Sequence, residues 1–147
     1  MRRVLVGLGL FFLLSLSTAV RGDDKDDASK LDGTWVPSEA VMAGMKLPDA
    51  VVKSIKLEIK GKKYTVTIGK EGKDEGTVKV DAAAKPMAVD IVGVDGPNKG
   101  KTILAIFEKK GDTLKICYDL SGKARPTAFE SKPESQLFLV TYQREKP

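Results

Sequence analysis

Histidine is absent from this 147-residue chain, and cysteine occurs once, at Cys117. Without imidazole, the chain lacks the usual ligand of zinc sites and the usual base of serine and cysteine triads. A single cysteine forbids an internal disulfide, so burial alone has to hold the fold together. With no histidine to lower its pKa, Cys117 is expected to be an inert, packed thiol. The sequence therefore predicts no catalytic residue and no metal site, and we expect a protein that is not an enzyme.

Motifs for nucleotides and nucleic acids are missing as well. The tripeptide 100–102, Gly-Lys-Thr, ends like a phosphate-binding loop. However, Asp95 stands where the first glycine of such a loop belongs, and Pro97 removes a backbone amide from it. The lysines alternate with acidic residues and do not form a basic stripe with aromatic side chains. We therefore predict no cofactor and no nucleic-acid partner.

The N-terminus has the three-part layout of a secretory signal peptide. Two arginines precede an apolar run over residues 4–16, and small residues follow it. This run is shorter than the roughly 20 residues that a membrane-spanning helix needs. We therefore predict a signal peptide over 1–22, with cleavage after Ala19 or after Gly22. The mature protein is expected to be extracytoplasmic, either periplasmic or secreted, and not to span a membrane.

The mature chain is predicted to consist of a short tail and one domain. Removing the signal lowers the formal net charge from +5 to +2, because three arginines lie within it. Residues 23–30 carry four aspartates but lack the alternating oxygen ligands and the central glycine of a calcium loop. We predict an acidic disordered tail there and a single domain over 31–144, which is of ordinary domain size.

Alternation of apolar and polar residues dominates the chain after residue 30. Residues 55–60 alternate strictly, Gly61 turns the chain, and 64–68 repeat the pattern, as in a half-buried β-hairpin. The other predicted strands lie at 34–40, 76–80, 87–91, 102–108, 114–118 and 137–142, and one short helix is predicted at 47–54. Short strands joined by tight turns favour an antiparallel meander. We predict an all-β fold, an antiparallel up-and-down β-barrel of about eight strands, with a two-sheet sandwich as the alternative.

Two predicted strands, 103–107 and 137–142, are apolar on both faces. Since one face of each strand points into the barrel, another part of the chain has to cover the other face. We expect the N-terminal segment or the short helix to provide this cover.

A Gly-x-Trp triplet, Gly33 to Trp35, opens the first strand, and Arg144 follows the last. This arrangement resembles the lipocalin pattern. Three further stretches, over 95–102, 111–117 and 125–129, make residues 31–144 similar to a family of secreted lipocalin-like domains abundant in planctomycetes. The resemblance implies a barrel in which Trp35 closes one end and Arg144 packs across it. It also implies an extracytoplasmic location and no catalytic residues.

The candidate binding residues are five side chains, from the barrel interior and from the longest connection, 120–136. Those in the predicted interior are Tyr64, Phe107 and Tyr118, and those in the connection are Arg125 and Phe129. Connections of this length are often lids or binding loops. Alternatively, Phe129 plugs the barrel end while Arg125 pairs with a carboxylate. The inward-facing residues are mostly large, which favours a filled barrel.

The function predicted from these features is the binding of a small apolar ligand by an extracytoplasmic lipocalin-like domain. The alternative is a cell-envelope module that binds another protein or has a structural role, without a small-molecule ligand. An apolar cavity with a few convergent polar groups would favour the first function. A large exposed apolar patch would favour the second.

Overall fold

The computed structural model describes residues 27–70 and 72–146. The predicted signal peptide, over 1–22, and the first part of the predicted tail lie outside the described residues. The described chain forms nine strands and one short helix: β1 (Gly33–Met42), β2 (Met45–Lys46), α1 (Asp49–Lys53), β3 (Ile55–Lys60), β4 (Lys63–Ile68), β5 (Lys73–Asp81), β6 (Met87–Asp95), β7 (Thr102–Lys110), β8 (Thr113–Asp119) and β9 (Leu137–Arg144).

Eight of these strands form a closed antiparallel barrel. From β3 to β9 each strand pairs with the next, and β1 pairs with both β3 and β9, which closes the sheet on itself. The ninth strand, β2, is a two-residue extension paired with the end of β1. The prediction of an antiparallel up-and-down barrel of about eight strands with one short helix is confirmed. The sandwich alternative is excluded, because strand pairing continues around the whole sheet.

The connections alternate between two ends of the barrel. At one end, which we call the closed end, lie the hairpin turns that follow β3, β5 and β7, together with the start of β1 and the end of β9. At the other, the open end, lie helix α1 and the connections 69–72, 96–101 and 120–136. This separation follows from the meander, in which every second turn falls at the same end.

The closed end is sealed by Trp35. Its side chain is fully buried, and its Nε1 donates a hydrogen bond to the carbonyl of Leu31 at 2.9 Å. The Arg144 guanidinium lies 4.3 Å from the centre of the indole ring, and its Nη1 donates to the carbonyl of Asp32 at 2.8 Å. Gly33 has φ +138°, and a Cβ atom there would collide with Arg144. The structure thus brings together the three residues that carry the resemblance.

The long connection 120–136 covers the outside of the barrel wall. Ala88, Ile106 and Cys117 point outward yet are buried. The Cys117 thiol donates to the carbonyl of Glu130, within this connection, at 3.3 Å. The expectation that the N-terminal segment or the helix provides the cover is therefore wrong. The physical reason is proximity, because β8 and β9 are neighbours and their connection begins and ends beside the strands that need covering.

Helix α1 is shorter than predicted, since it spans Asp49–Lys53 and the prediction was 47–54. Pro48 precedes its first residue, and proline is well placed there because the first helical turn leaves backbone N–H groups without acceptors. The helix packs against β1 and β3 at the open end. In the part of the chain that the structure describes, no helix is long and apolar enough to cross a membrane.

Candidate functional site

The barrel encloses a cavity of about 460 Å³. Its wall runs from Leu31, beside the closed end, to Ile68 and Leu120 at the open end. The last two side chains are more than one-third exposed, at 38% and 37%, so the cavity reaches solvent there. Between these limits, inward-facing residues of all strands from β3 to β9 form a mostly apolar wall. The expectation of a filled barrel is therefore wrong.

Two glycines let neighbouring parts of the wall pack closely beside the cavity. Gly76 and Gly93 lie at inward positions of β5 and β6. A Cβ atom on Gly76 would collide with the carbonyl of Val92 at 2.0 Å and would come within 2.7 Å of the Tyr64 ring, so glycine lets β6 and that tyrosine approach β5. A Cβ atom on Gly93 would collide with Asn98, so this second glycine lets the β6–β7 turn fold back over the strand.

Tyrosine side chains supply hydroxyl groups to the cavity wall. The chain contains three tyrosines, and all of them, Tyr64, Tyr118 and Tyr142, line the cavity. The hydroxyls of Tyr118 and Tyr142 lie 2.8 Å apart and share a hydrogen bond. The Tyr118 ring also stacks on Phe138, with the ring centres 5.8 Å apart. The cavity is thus apolar overall but carries convergent polar groups.

Asp74 places a carboxylate in the same wall. Its side chain is buried, and its Oδ2 accepts hydrogen bonds from the Tyr64 hydroxyl at 2.9 Å and from Asn98 Nδ2 at 2.8 Å. Its Oδ1 accepts from the backbone N–H of Asn98 at 3.0 Å. A buried charge is costly unless it is hydrogen-bonded, and three donors meet that need here. The same contacts tie the start of β5 to the turn at 96–101, beside the mouth of the cavity.

The three lumen tyrosines are held in their neutral form. Burial raises the pKa of Tyr142 to about 12. Burial, followed by the neighbouring hydroxyl of Tyr142, also raises the pKa of Tyr118. The pKa of Tyr64 is raised by burial and then by the Asp74 carboxylate. At neutral pH these groups therefore act as hydrogen-bond donors and acceptors and not as anions.

The structure separates the predicted binding residues into two groups. Tyr64 and Tyr118 line the cavity. Phe107 also faces inward but is fully buried in the core and is not part of the cavity wall. Arg125 and Phe129 lie in the connection that covers the outside of the barrel. The five candidates therefore do not form one site.

Arg125 is bound to the outer surface of the barrel. Its Nη1 donates to the carbonyls of Val89 and Ala105, at 3.2 and 2.9 Å, and its Nη2 pairs with the carboxylate of Asp90. This is the carboxylate pairing that the sequence offered as the alternative to a ligand contact. Phe129 is half-buried in the same connection and does not line the cavity, so it does not plug the barrel end from within.

The sequence-based prediction did not include five polar residues of the cavity wall: Asp74, Asn98, Lys101, Gln136 and Tyr142. Asp74 is in phase with Gly76 and Val78, so the alternation of β5 already pointed its side chain inward. Tyr142 lies on a strand that is apolar on both faces, so alternation does not show whether its side chain points inward or outward. Asn98 sits in a turn, where nothing in the sequence distinguishes a wall residue from an ordinary turn former.

The described part of the chain contains no group of three or more side chains that could hold a metal ion. Burial raises the pKa of the Cys117 thiol, which suppresses the reactive thiolate. Searches of protein-family models, curated proteins and solved structures give no match to this chain. Its function therefore has to be inferred from the geometry of the barrel itself.

Proposed function

We propose that this protein is an extracytoplasmic lipocalin-like barrel that binds a small, largely apolar molecule in its lumen. The observation that carries the proposal is the cavity of about 460 Å³, open at one end and lined by apolar side chains with three tyrosine hydroxyls. Small-molecule sites typically measure about 300 to 1,000 Å³ and combine apolar walls with a few fixed polar groups. The cavity meets both criteria.

Export and family membership are part of the same proposal. The signal-peptide pattern over 1–22 supports an extracytoplasmic location, periplasmic or secreted. The packing of Gly33, Trp35 and Arg144 at the closed end supports kinship with secreted lipocalin-like domains. We propose a binding role without catalysis, which is supported by the absence of histidine and by the buried state of Cys117.

A ligand-binding titration with matched variants tests the proposal. The probe is N-phenyl-1-naphthylamine, an uncharged apolar fluorophore whose emission rises when it leaves water. Val66 lines the cavity, and its neighbour Thr65 points to the opposite face of β4. We expect the wild type and Thr65→Phe to bind one probe molecule with similar affinity. Val66→Phe should weaken binding about tenfold or more, because the added ring occupies the site.

Circular dichroism and thermal denaturation of both variants serve as the folding control. If Val66→Phe binds the probe as tightly as Thr65→Phe while both are folded, the lumen is not the binding site. In that case the proposed function is wrong.

A cell-envelope interaction module remains the second candidate function, and one observation favours it. The exposed large apolar side chains of the described chain are Met45, Val51, Ile68, Val92, Val94 and Leu120. All of them belong to elements at the open end or to strand ends that point toward it. A continuous apolar patch formed by these side chains would be typical of a contact site for another protein.

Native mass spectrometry distinguishes the two functions. The protein is recovered from the extracytoplasmic fraction of the cells that make it and is measured before and after denaturation. A released mass of a few hundred daltons supports lumen binding. A released polypeptide, with the barrel itself empty, supports the interaction module.

A further inference from the structure

Among the described residues, one hydrogen of the three tyrosine hydroxyls in the cavity has no acceptor. The Tyr64 hydroxyl donates its hydrogen to Asp74. Tyr118 and Tyr142 carry two hydroxyl hydrogens between them, and their mutual contact at 2.8 Å uses one. Within the described residues, no protein acceptor takes the other. A molecule that displaces water from this hydrogen has to supply an acceptor atom in its place, because a buried donor without an acceptor costs free energy.

The charges around the cavity oppose an anionic head group inside it. The carboxylate of Asp74 is buried in the wall and already accepts three hydrogen bonds. Among the described residues of the wall, the basic side chain is Lys101, which is exposed at the mouth. Lys109 is also buried, but its ammonium group donates to the carbonyl of Lys30 at the closed end and is not part of the wall. A second carboxylate in the lumen would therefore face a like charge in an apolar environment.

A cationic head group also lacks a suitable place. The carboxylate of Asp74 has both oxygens engaged by Tyr64 and Asn98, at 2.8 to 3.0 Å. A protonated amine would have to displace one of these donors and be stripped of water at the same time, which is costly. Inside the lumen, the hydroxyl pair of Tyr118 and Tyr142 offers a neutral hydrogen that binds an acceptor, whereas the polar side chains of Lys101 and Gln136 are exposed at the mouth.

We infer that the ligand is an uncharged molecule whose carbonyl, ether or hydroxyl oxygen accepts a hydrogen bond from the Tyr118–Tyr142 pair. This inference rests on the proposed function and specifies the class of ligand. The apolar remainder of the molecule lies against the aliphatic wall and extends toward the open end. Fatty acids and alkylamines of the same length are disfavoured, because each introduces a charge that the lumen does not neutralise.

Competition with three nine-carbon molecules tests the inference at pH 7. The competitors are 2-nonanone, nonanoate and nonylamine. For each one, we measure the concentration that displaces N-phenyl-1-naphthylamine from the full mature protein. We expect 2-nonanone to displace the probe at a concentration about tenfold lower than either charged molecule, since burying an uncompensated charge is disfavoured far more than burying a ketone. Equal or tighter binding of nonanoate or nonylamine overturns the inference.

Tyrosine-to-phenylalanine variants test the role of the hydroxyl pair. Tyr118→Phe and Tyr142→Phe each break the mutual hydrogen bond but leave one hydroxyl with its hydrogen free. Only the double variant removes the donor. We expect affinity for 2-nonanone to change little in either single variant and to fall about two- to tenfold in the double variant, the equivalent of one hydrogen bond. Unchanged ketone binding by the double variant contradicts the inference.

The probe separates failure of the inference from failure of the proposed function. N-phenyl-1-naphthylamine carries no oxygen acceptor, so the double variant should lower the affinity for 2-nonanone by a larger factor than the affinity for the probe. If the probe binds and the ketone preference is missing, only the inference about ligand class is wrong. If neither the probe nor any competitor binds the wild type, lumen binding itself is wrong and the inference falls with it.

Discussion

The two ends of the barrel differ in whether their apolar side chains are buried or exposed. At the closed end, Trp35 and Leu31 are buried, and the long cationic side chains of Lys109 and Arg144 donate to backbone carbonyls. At the open end, the apolar side chains of Met45, Val51 and Ile68 are exposed to solvent. The closed end therefore buries its apolar side chains and excludes water, while the open end leaves apolar surface exposed.

This difference separates a seal that adds stability from an opening that gives access. The fully buried Trp35 and its stacked partner Arg144 stabilise the closed end, while the open end combines exposed apolar side chains with the hydrogen bonds of Asp74 near the mouth. Access to the cavity needs an end that is not sealed, even though exposed apolar surface contributes little to stability. Substitutions at the two ends should accordingly have very different effects on the free energy of unfolding.

The largest effect is expected at the closed end. Trp35→Ala removes a fully buried ring and the surface on which Arg144 stacks. We expect the free energy of unfolding to fall by about 3 to 5 kcal/mol, measured by urea denaturation. Binding of N-phenyl-1-naphthylamine by the fraction that stays folded should change little, because Trp35 is not part of the cavity wall. A small loss of stability with a large loss of probe affinity would reverse the assignment of the two ends.

A smaller effect is expected from the lumen tyrosines at high pH. Because burial raises the pKa of Tyr142 from 10 to about 12, the unfolded state loses this proton first as pH rises. Stability is therefore full below pH 10 and declines as pH rises toward 12, by about 1.4 kcal/mol at pH 11 from this residue. Lysine deprotonation contributes in the same range, so the comparison is with Tyr142→Phe. The decline between pH 8 and pH 11, followed by urea denaturation, should be shallower in the variant. Equal slopes would contradict the burial of this hydroxyl.

The smallest effect is expected at the open end. Met45 and Val94 are 73% and 57% exposed. Met45→Gln and Val94→Thr should each change the free energy of unfolding by less than about 0.5 kcal/mol, because exposed positions without special contacts contribute little. If either substitution lowered the free energy of unfolding by more than about 1 kcal/mol, the open end would also stabilise the fold. The contrast between the two ends would then be wrong.

The local sequence predicts the strands and the barrel well. Alternation in residues such as those of 55–60 specifies a half-buried strand, and short turns between such strands leave an antiparallel meander as the natural topology. The roles of Trp35 and Arg144 were indicated by resemblance, and the structure gives them a physical basis in one stacked pair.

The cavity was harder to predict because large inward-facing side chains do not show how far apart the opposite walls of the barrel lie. Gly76 and Gly93 look like ordinary turn or strand glycines in the sequence, and only the three-dimensional arrangement shows that Tyr64 and Asn98 pack against them. The contact between Asp74 and Asn98 joins residues that are 24 positions apart. The alternation of β5 points Asp74 toward the lumen, but turn chemistry alone does not reveal that Asn98 binds this carboxylate.

The outer cover shows a second limit of sequence patterns. A strand that is apolar on both faces reveals that a cover exists but not which segment supplies it. Arg125 was chosen for its position in a long connection, and that connection proved to be the cover itself. Length alone does not distinguish a binding loop from a segment that completes the core.

Cys117 is buried beneath residues 120–136, so its reaction with a thiol reagent can report local opening of this segment in the unaltered protein. A thiol reagent can react with Cys117 only after this segment lifts from the wall, and each molecule carries one thiol, so every labelling event reports the same opening. Labelling rates measured across a series of urea concentrations would separate this local opening from global unfolding. The equilibrium for detachment of a single surface segment is thus measurable in the unmodified protein, without any engineered label.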